Sequence, residues 1–222
     1  MRRARDEYTP LASLAILACM IAIVDYRMGN LRSVQKALAQ LGHDAQIVRT
    51  PDEIDAATRL ILPGVGAFGD AMAHLAEQEL IEPIRAYAAS GKPFLGICLG
   101  LQLLFESSCE GEMTDGLGIL PGRVVHFEPA DPSLKVPHMG WNALRFEQAD
   151  NPLFAGLEDG CFCYFVHAYY AEPAEPADTA ATAEYDGPFC ASVHRDNVWA
   201  TQFHPEKSQR VGLRMLQNFA AL

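Results

Sequence analysis

Residues 92–105 read KPFLGICLGLQLLF, an apolar run with a single cysteine near its middle. The run begins like a buried strand and continues with helical spacing, and Cys98 lies at the change, between Gly96 and Gly100. A residue at the tip of a tight strand-to-helix turn has a strained backbone, and small neighbours let the chain fold back closely on both sides. The N-terminus of the following helix also favours a thiolate. The stretch predicts a nucleophile elbow, and a buried structural thiol is the alternative.

The residues before this stretch alternate between short β-branched runs and segments of helical spacing. Asn30 is expected to cap a helix that Gly42 ends, and Thr50 to Glu53 read as a capping box. Strands are predicted at 21–24, 45–48, 60–62 and 94–97, and helices at 31–41, from 51, at 70–77, 83–89 and 99–105. This alternation predicts a parallel sheet with helices on both faces.

The second half consists of short strands separated by proline and glycine. Strands are predicted at 123–127, 141–146, 163–168, 181–185, 189–194 and 198–202. The segment AEPAEPADTA (171–180) is predicted to be an exposed loop, and 209–222 a closing helix. The predicted fold class is therefore α/β, with a mixed, largely parallel central sheet flanked by helices and an antiparallel extension.

Composition limits the classes of function. The chain has 222 residues and a formal net charge of −11, without a basic stripe, which argues against nucleic-acid binding. Its six cysteines and seven histidines show no metal-ligand spacing, so neither a metal nor a cofactor is predicted. The cysteines fit free thiols in a reducing cytoplasm better than a disulfide framework. No transmembrane helix is expected.

The N-terminus reads MRRARDEYTPLASLAILAC over residues 1–19. Basic residues followed by an apolar stretch resemble a secretory signal, but Asp6 and Glu7 interrupt the basic part, and the apolar run continues into the first strand. Residues 1–19 are interpreted as a non-structural extension, such as a start codon assigned too early would produce. An export signal is the alternative. One domain is predicted over residues 20–222.

A base for the thiol is found in TQFHPEKSQ (201–209). His204 follows an apolar strand, and Glu206 lies two residues later beyond Pro205. A carboxylate at that spacing can reach back to an imidazole nitrogen and orient the ring. Either motif alone has an ordinary structural explanation, but together they predict a Cys98–His204–Glu206 triad.

These motifs resemble those of the class I, triad-type glutamine amidotransferases, and within them the glutaminase subunits of imidazole glycerol phosphate synthase. The further matches are DYRMGNLRSV (25–34), PGVGAFGDAM (63–72), KVPHMGWN (135–142) and FVHAYY (165–170). The resemblance extends from residue 20 to 222. It implies a flavodoxin-like fold and hydrolysis of glutamine to glutamate and ammonia through a cysteine thioester.

The resemblance assigns roles to individual residues. Cys98 is the implied nucleophile, His204 the acid and base, and Glu206 the residue that orients it. The implied oxyanion-hole residues are Leu99, Val65 and Gly66, and the implied substrate-binding residues are Gln102 and Gly64. Because the family's oxyanion loop can turn one amide away, low basal activity is expected.

The resemblance also implies a partner, a cyclase subunit with a (β/α)8 barrel. It uses the ammonia to make imidazole glycerol phosphate and aminoimidazole carboxamide ribotide in histidine biosynthesis. The implied interface residues are Asn30, His138, Met139, Trp141 and Asn142. Trp141 reads equally well as a core residue. Arg27 departs from the family, which usually has glycine there, and would be strained if the position needs a positive φ.

Three alternatives remain at this stage. One is another amidotransferase of the same class, against which PGVGAF, PHMGWN and the KSQ after His-Pro-Glu argue. The second is a hydrolase of γ-glutamyl compounds that needs no partner. The third is a non-catalytic scaffold, which would have no reason to keep Cys98, His204 and Glu206 together.

Overall fold

The computed structural model describes residues 20–222, so the predicted extension over 1–19 lies outside the described residues. The first half alternates strands and helices as its sequence predicts. Its elements are β1 Ile21–Val24, α1 Leu31–Gln40, β2 Ala45–Val48, α2 Pro51–Ala56, β3 Arg59–Gly64, α3 Phe68–Glu77, α4 Ile81–Ala89, β4 Phe94–Cys98 and α5 Leu99–Gln102.

The second half is mostly short strands. Its elements are β5 Ser107–Ser108, β6 Thr114–Asp115, β7 Gly122–His126, β8 His138–Ala143, β9 Arg145–Phe146, β10 Phe162–His167, β11 Tyr169–Pro173, β12 Thr179–Glu184, β13 Pro188–Arg195, β14 Val198–Thr201 and α6 Gln209–Ala221. Single turns of 3-10 helix lie at Pro152–Phe154, Pro176–Asp178 and Pro205–Lys207.

The central sheet is parallel in its first half and antiparallel beyond it. Its strand order is β2-β1-β3-β4-β14-β13-β11-β7-β5-β6, with β12 beside β13 and β9 beside β12. The five strands from β2 to β14 run parallel, and β13, β11 and β7 follow as an antiparallel extension. The predicted fold class is confirmed. In such sheets ligands bind beyond the carboxyl ends of the strands.

The two faces of the parallel strands bury separate layers of side chains, because successive residues of a strand point to opposite faces. Ala22 and Val24 of β1 join the layer that packs against α3 and α4. Ile21 and Ile23 join the layer that contains residues of α1 and α6. Helices therefore cover both faces, as the alternating sequence predicts.

The side-chain capping that the sequence predicts is present at the start of α2 and absent at the start of α1. Thr50 and Glu53 form the predicted capping box, with Glu53 N donating to Thr50 Oγ1 and Thr50 N donating to the Glu53 carboxylate. Asn30 does occupy the N-cap position of α1, but its side chain makes no cap hydrogen bond. Its backbone carbonyl accepts from Ser33 and Val34 instead.

Several predicted bounds are wrong. The strand predicted over 141–146 is divided between β8, which begins at His138, and β9. The helix after Cys98 ends at Gln102 rather than at 105, because the chain turns there toward β5 and Leu103 O accepts a hydrogen bond from Leu117. The segment 171–180 is not an exposed loop. Residues 171–173 belong to β11, which pairs with β7, and Asp178 is buried in an ion pair with Arg195 at 2.7 Å. The local composition of this segment does not indicate that it pairs with β7.

A second, two-stranded sheet lies apart from the central one. In it β8 and β10 pair antiparallel, with His138 opposite His167 and Trp141 opposite Tyr164. The chain leaves β10 at His167 and enters β11 of the central sheet at Tyr169, so Ala168 is the corner between the sheets. None of the helices formed by residues 20–222 has the length and apolarity needed to span a bilayer.

Candidate active site

Cys98 lies at the tip of the predicted elbow. It is the last residue of β4, its φ is 56° and ψ is −110°, and α5 begins at the next residue. A Cβ on Gly96 would lie 2.7 Å from the Gly100 carbonyl oxygen, and a Cβ on Gly100 would collide with the Leu62 carbonyl. The two glycines are therefore required for the strand and the helix to approach each other. The elbow geometry that the sequence predicts is present.

His204 reaches the elbow because β14 pairs in parallel with β4, with Thr201 opposite Ile97. The 3-10 turn that begins at Pro205 folds Glu206 back, so that His204 Nδ1 donates to Glu206 Oε1 over 2.8 Å. Both side chains are only 2% exposed. The turn is held by Ser208 Oγ, which donates to the His204 carbonyl over 2.7 Å. The hydrogen bond assigns the Nδ1 proton, and Nε2 remains for catalysis.

The environment of His204 favours its protonated form. Burial alone would lower the pKa of His204, but the Cys98 thiol and the Glu206 carboxylate outweigh burial and raise that pKa to about 9. His204 Nε2 has no hydrogen-bond partner among the described residues and is buried. Such a ring can stabilise a thiolate beside it and later deliver a proton.

A cavity of about 290 Å³ opens over the thiol. It brings together residues from the loop after β3, the elbow, the loop between β5 and β6, the corner between the two sheets, and the His204 turn. The lining residues are Val65, Gly66, Cys98, Leu99, Gln102, Glu110, Val166, His167, Ala168, Tyr169, His204 and Lys207. Of the residues predicted to bind substrate or the oxyanion, Gly64 is not among them. It lies behind the elbow, where a Cβ would meet Leu99 Cβ at 2.8 Å.

Two backbone segments of the cavity wall suit a developing oxyanion. Leu99 is the first residue of α5, so its N–H has no acceptor within the helix. Val65 and Gly66 follow β3, whose last residue Gly64 pairs with Cys98. Val65 is 40% exposed and Gly66 has a φ of 99°, so this loop is not held within the core. The two segments predicted to form an oxyanion hole thus lie in one cavity wall, one on a helix and one on a loop.

Gln102 is buried in the cavity wall and held by two hydrogen bonds. Its Nε2 donates to the Tyr169 carbonyl over 2.9 Å and to Gln202 Oε1 over 3.0 Å. Both amide hydrogens are thereby used, which leaves Oε1 as the atom that can accept from a ligand. Gln202 Nε2 in turn lies 3.9 Å from Cys98 Sγ.

Glu110 is a cavity residue that sequence reasoning missed. Its carboxylate accepts from Phe68 N at the start of α3 over 2.7 Å, and it lines the cavity with Gln102. A carboxylate there can hold an ammonium group. Glu110 lies between β5 and β6 without a recognisable motif, so only the folded loop identifies it. Among residues 20–222 no three His, Cys, Asp or Glu side chains form a metal-binding group.

Of the residues predicted at a partner interface, some have exposed side chains and others have buried or half-buried ones. Met139 and Trp141 of β8 are 63% and 47% exposed, and Asn30 is exposed on the loop before α1. The side chain of His138 is instead buried, at 4% exposure, because residues alternate between the faces of β8. Asn142 is half-buried and donates to the Glu184 carbonyl.

Arg27, the departure from the family pattern, has a φ of 69°. The position therefore needs the left-handed backbone conformation that favours glycine, and arginine is strained there. Its ion pair with Glu77 spans 3.6 Å between side chains that are both more than 60% exposed, so the pair adds little stability.

Comparison with known proteins finds similar proteins over most of the chain. The model of the family "Glutamine amidotransferase class-I" matches residues 22–221. The imidazole glycerol phosphate synthase subunit HisH of Rhodopirellula baltica is 57% identical over 202 residues, which are 90% of this chain and 97% of that protein. The subunit of the same name from Syntrophotalea carbinolica is 55% identical over 205 residues, covering 90% and 98% of the two chains.

Solved structures share the fold. PurLQS from Thermotoga maritima superposes with a TM-score of 0.72 at 23% identity, over 90% of this chain and 97% of that one. A structure described as a glutamine amidotransferase gives a TM-score of 0.70 at 20% identity, over 91% and 99% of the two chains. At these sequence identities the superpositions show a shared fold and nothing further.

Proposed function

The chain belongs to the class-I glutamine amidotransferase family, and we propose that it is the glutaminase subunit of an imidazole glycerol phosphate synthase. It hydrolyses glutamine to glutamate and ammonia and supplies the ammonia to a cyclase subunit in histidine biosynthesis. The observation that carries this conclusion is the buried His204–Glu206 pair, joined over 2.8 Å, beside the strained Cys98 elbow in one cavity. Relatives at 55–57% identity bear that subunit's name.

We assign the first half of the reaction to Cys98 and His204. The Cys98 sulfur attacks the side-chain amide carbon of glutamine, and the negative charge on the former carbonyl oxygen faces the N–H of Leu99 and the Val65–Gly66 loop. When the carbon–nitrogen bond breaks, His204 Nε2 gives its proton to the departing nitrogen. The products of this half are ammonia and a thioester on Cys98.

The second half returns the enzyme to its starting state. His204, now neutral, takes a proton from a water molecule, and the resulting hydroxide attacks the thioester carbon. The carbon–sulfur bond then breaks, and glutamate leaves. Glu206 keeps the proton of His204 on Nδ1 throughout, which leaves Nε2 for both transfers.

The cavity also fits the rest of the substrate. We assign the α-ammonium group of glutamine to the Glu110 carboxylate, and a donor of the substrate to Gln102 Oε1. Both groups line the cavity with the thiol, and both are held from behind, Glu110 by Phe68 N and Gln102 by Tyr169 O. Gly64 then acts by letting the oxyanion loop and the elbow pack together rather than by contacting substrate.

The partner surface is proposed around the cavity mouth. Val65, Met139, Trp141 and Phe162 are large apolar side chains that are 40%, 63%, 47% and 56% exposed. Apolar side chains of this kind are typical of the buried centre of a protein interface. The partner is the cyclase subunit, for which we propose a (β/α)8 barrel whose interior carries the ammonia. Asn30 and Asn142 are assigned to the margin of this surface.

Two further assignments concern the whole chain. The amidotransferase domain is proposed to span residues 20–222, supported by the family match over 22–221. A cytoplasmic location is proposed because Cys98, Cys109, Cys161, Cys163 and Cys190 are free thiols, as expected from the sequence.

The test is glutamine hydrolysis by the purified chain, alone and with the cyclase subunit and its nucleotide ligand. Weak activity alone, strong stimulation by the loaded partner and loss in Cys98→Ala are expected. Rapid hydrolysis that the partner does not change would identify a free-standing hydrolase instead. A folded chain without activity under any condition would contradict the glutaminase assignment.

A further inference from the structure

Two histidines outside the triad form a buried pair beside the cavity. His138 and His167 face each other across β8 and β10, and His138 Nδ1 lies 3.0 Å from His167 Nε2. They are 4% and 6% exposed, and His167 lines the cavity with His204. The reaction as described above uses neither ring, so their arrangement needs its own explanation.

The hydrogen bonds around the pair assign every ring nitrogen. His167 Nδ1 lies 2.8 Å from the Tyr169 carbonyl, which can only accept, so this nitrogen carries the proton. His167 Nε2 is then the acceptor for His138 Nδ1–H. At the far end, Asn142 Nδ2 lies 3.4 Å from His138 Nε2 and donates to it, because Asn142 Oδ1 already accepts from Ala143 N. The chain of donors and acceptors is consistent only if both rings are neutral.

The surroundings of the pair agree with neutral rings. The ring of His138 lies among those of Phe165, Tyr185 and Phe189, at centroid distances of 5.1, 4.2 and 5.7 Å. Burial lowers the pKa of His138 to about 4. Burial also lowers that of His167 to about 3, outweighing its bond to the Tyr169 carbonyl, and the nearby His204 acts in the same direction. A proton added to either ring would set a donor against a donor.

The chain of hydrogen bonds continues from the pair to the nucleophile. The Tyr169 carbonyl accepts from His167 and also from Gln102, whose other amide hydrogen goes to Gln202 Oε1. Gln202 then contacts the Cys98 sulfur. One carbonyl group therefore joins His167 on one side to Gln102 on the other. Turning that carbonyl would release the Gln102 amide from the orientation that presents Oε1 to the cavity.

We infer that His138 and His167 are positioning residues for glutamine, acting through the Tyr169 carbonyl to hold Gln102 with its carbonyl oxygen toward the substrate. The inference rests on the proposed function. His138 donates to His167 Nε2, and His167 Nδ1 donates to the same carbonyl oxygen that accepts from Gln102. Strand β8 thus has two functional faces, an exposed one with Met139 and Trp141 and a buried one with His138.

The test compares two replacements of His138 in the complex with the cyclase subunit and its nucleotide ligand. Leucine fills most of the space but removes the donor, whereas asparagine leaves a larger void but keeps an N–H near the place of Nδ1. Loss of one hydrogen bond is expected to raise KM for glutamine about tenfold in His138→Leu, with kcat within about threefold. His138→Asn is expected to keep KM within about threefold of the unmodified chain.

A merely structural role predicts the opposite order, because asparagine creates the larger void. His194→Leu is the matched control. His194 is also hydrogen-bonded through both nitrogens, to Gln148 and to the Asp196 carbonyl, but it stacks on Trp199 and does not line the cavity. Its KM for glutamine is expected to be unchanged. A His138→Leu variant with the KM of the unmodified complex, or an asparagine variant worse than leucine, would overturn the inference.

A second measurement does not depend on activity. Nitrogen-15 NMR of histidine-labelled chain at pH 7, assigned with the His138 and His194 variants, is expected to show both paired rings neutral and protonated on Nδ1. Either ring protonated on Nε2 would refute the chain of donors and acceptors. An inactive unmodified complex with the expected tautomers would instead count against the proposed function.

Discussion

Two buried histidines lie in the wall of the same cavity, and at neutral pH one is expected to be positively charged and the other neutral. His204 is 2% exposed and His167 is 6% exposed, yet the pKa of the first is raised to about 9 and that of the second is lowered to about 3. Burial lowers the pKa of both rings, and the partner decides the outcome. A carboxylate and a thiol face His204, whereas a carbonyl and a second imidazole face His167. The site thus keeps one ring for proton transfer and the other for holding a backbone group.

The largest expected effect comes from a change in the reactive region, which consists of Cys98, His204 and Glu206. Cys98→Ala removes the nucleophile and should lower the rate of glutamate formation in the loaded complex by about 10⁴-fold or more. Alanine fits the strand end, so the melting temperature and affinity for the cyclase subunit should change little. Rates from quenched assays, together with calorimetry, test this. A variant that keeps a tenth of the activity would contradict the assignment of Cys98.

The next effect tests whether Glu206 causes the high pKa of His204. Glu206→Gln keeps the shape of the side chain but removes its charge, and should lower kcat by about 10²–10⁴-fold. The pKa of His204 is raised on folding from about 6.5 to about 9. Its contribution to stability is therefore present below pH about 6.5 and is lost as the pH rises through about 9.

The glutamine variant should show a smaller part of that alkaline loss. Urea unfolding of both proteins at pH 6.5, 8 and 9.5 measures the difference. Parallel pH profiles of stability in the two proteins would mean that Glu206 does not sustain the charge of His204.

The third effect separates the two faces of β8. Trp141→Ala removes a large exposed ring and should weaken binding of the cyclase subunit by about 10–100-fold. The free energy of unfolding and the basal glutaminase rate should stay close to those of the unmodified chain, because the ring is 47% exposed. Titration calorimetry measures the affinity, and unchanged affinity would remove Trp141 from the proposed interface.

The fourth effect concerns the neutral region, which is the His138–His167 pair, at acid pH. The pKa values of His138 and His167 are lowered on folding, so their contribution to stability is present above pH about 6.5 and is lost as the pH falls toward about 4. His138→Leu removes one of the two groups. Its urea midpoint should therefore fall less between pH 7 and pH 5 than that of the unmodified chain. Equal falls in the two proteins would contradict a neutral His138.

The smallest effect lies outside both regions. Cys98 and Arg27 both have positive φ angles, 56° and 69°, but only the first serves the reaction as described. Arg27→Gly should relieve strain and raise the free energy of unfolding by about 0.5–1 kcal/mol, without changing basal glutaminase activity. Denaturant unfolding measures the gain. A loss of stability would show that the contacts of the arginine side chain outweigh the strain.

Much of the reactive region could be predicted because its signals are local. A glycine on each side of Cys98 and a carboxylate two residues after His204 are features of short segments, and the structure reproduces the elbow and the His204–Glu206 bond. The β-α alternation likewise predicted that β4 belongs to a parallel sheet. The parallel pairing of β14 with β4, which brings His204 to Cys98, was not predicted from the sequence. The assigned roles of Gln102, Val65 and Gly66 remain predictions, although these residues line the cavity.

The neutral region could not be predicted from local signals. The sequence predicts His138 at a partner surface. In the structure its ring is buried, because the side chains of β8 alternate between the two faces of the strand. Its bond to His167 joins residues 29 positions apart and depends on the register between two strands. Glu110 reaches the cavity through a loop with no regular structure of its own.

The sequence by itself thus determined the order of strands and helices, the elbow at Cys98 and the His-x-Glu turn. These depend on interactions between residues a few positions apart, which periodicity and glycine placement encode directly. Only the tertiary structure decided which side chains share a cavity wall, which histidine is charged and which is neutral. Register and burial, which set those properties, arise from packing between distant segments.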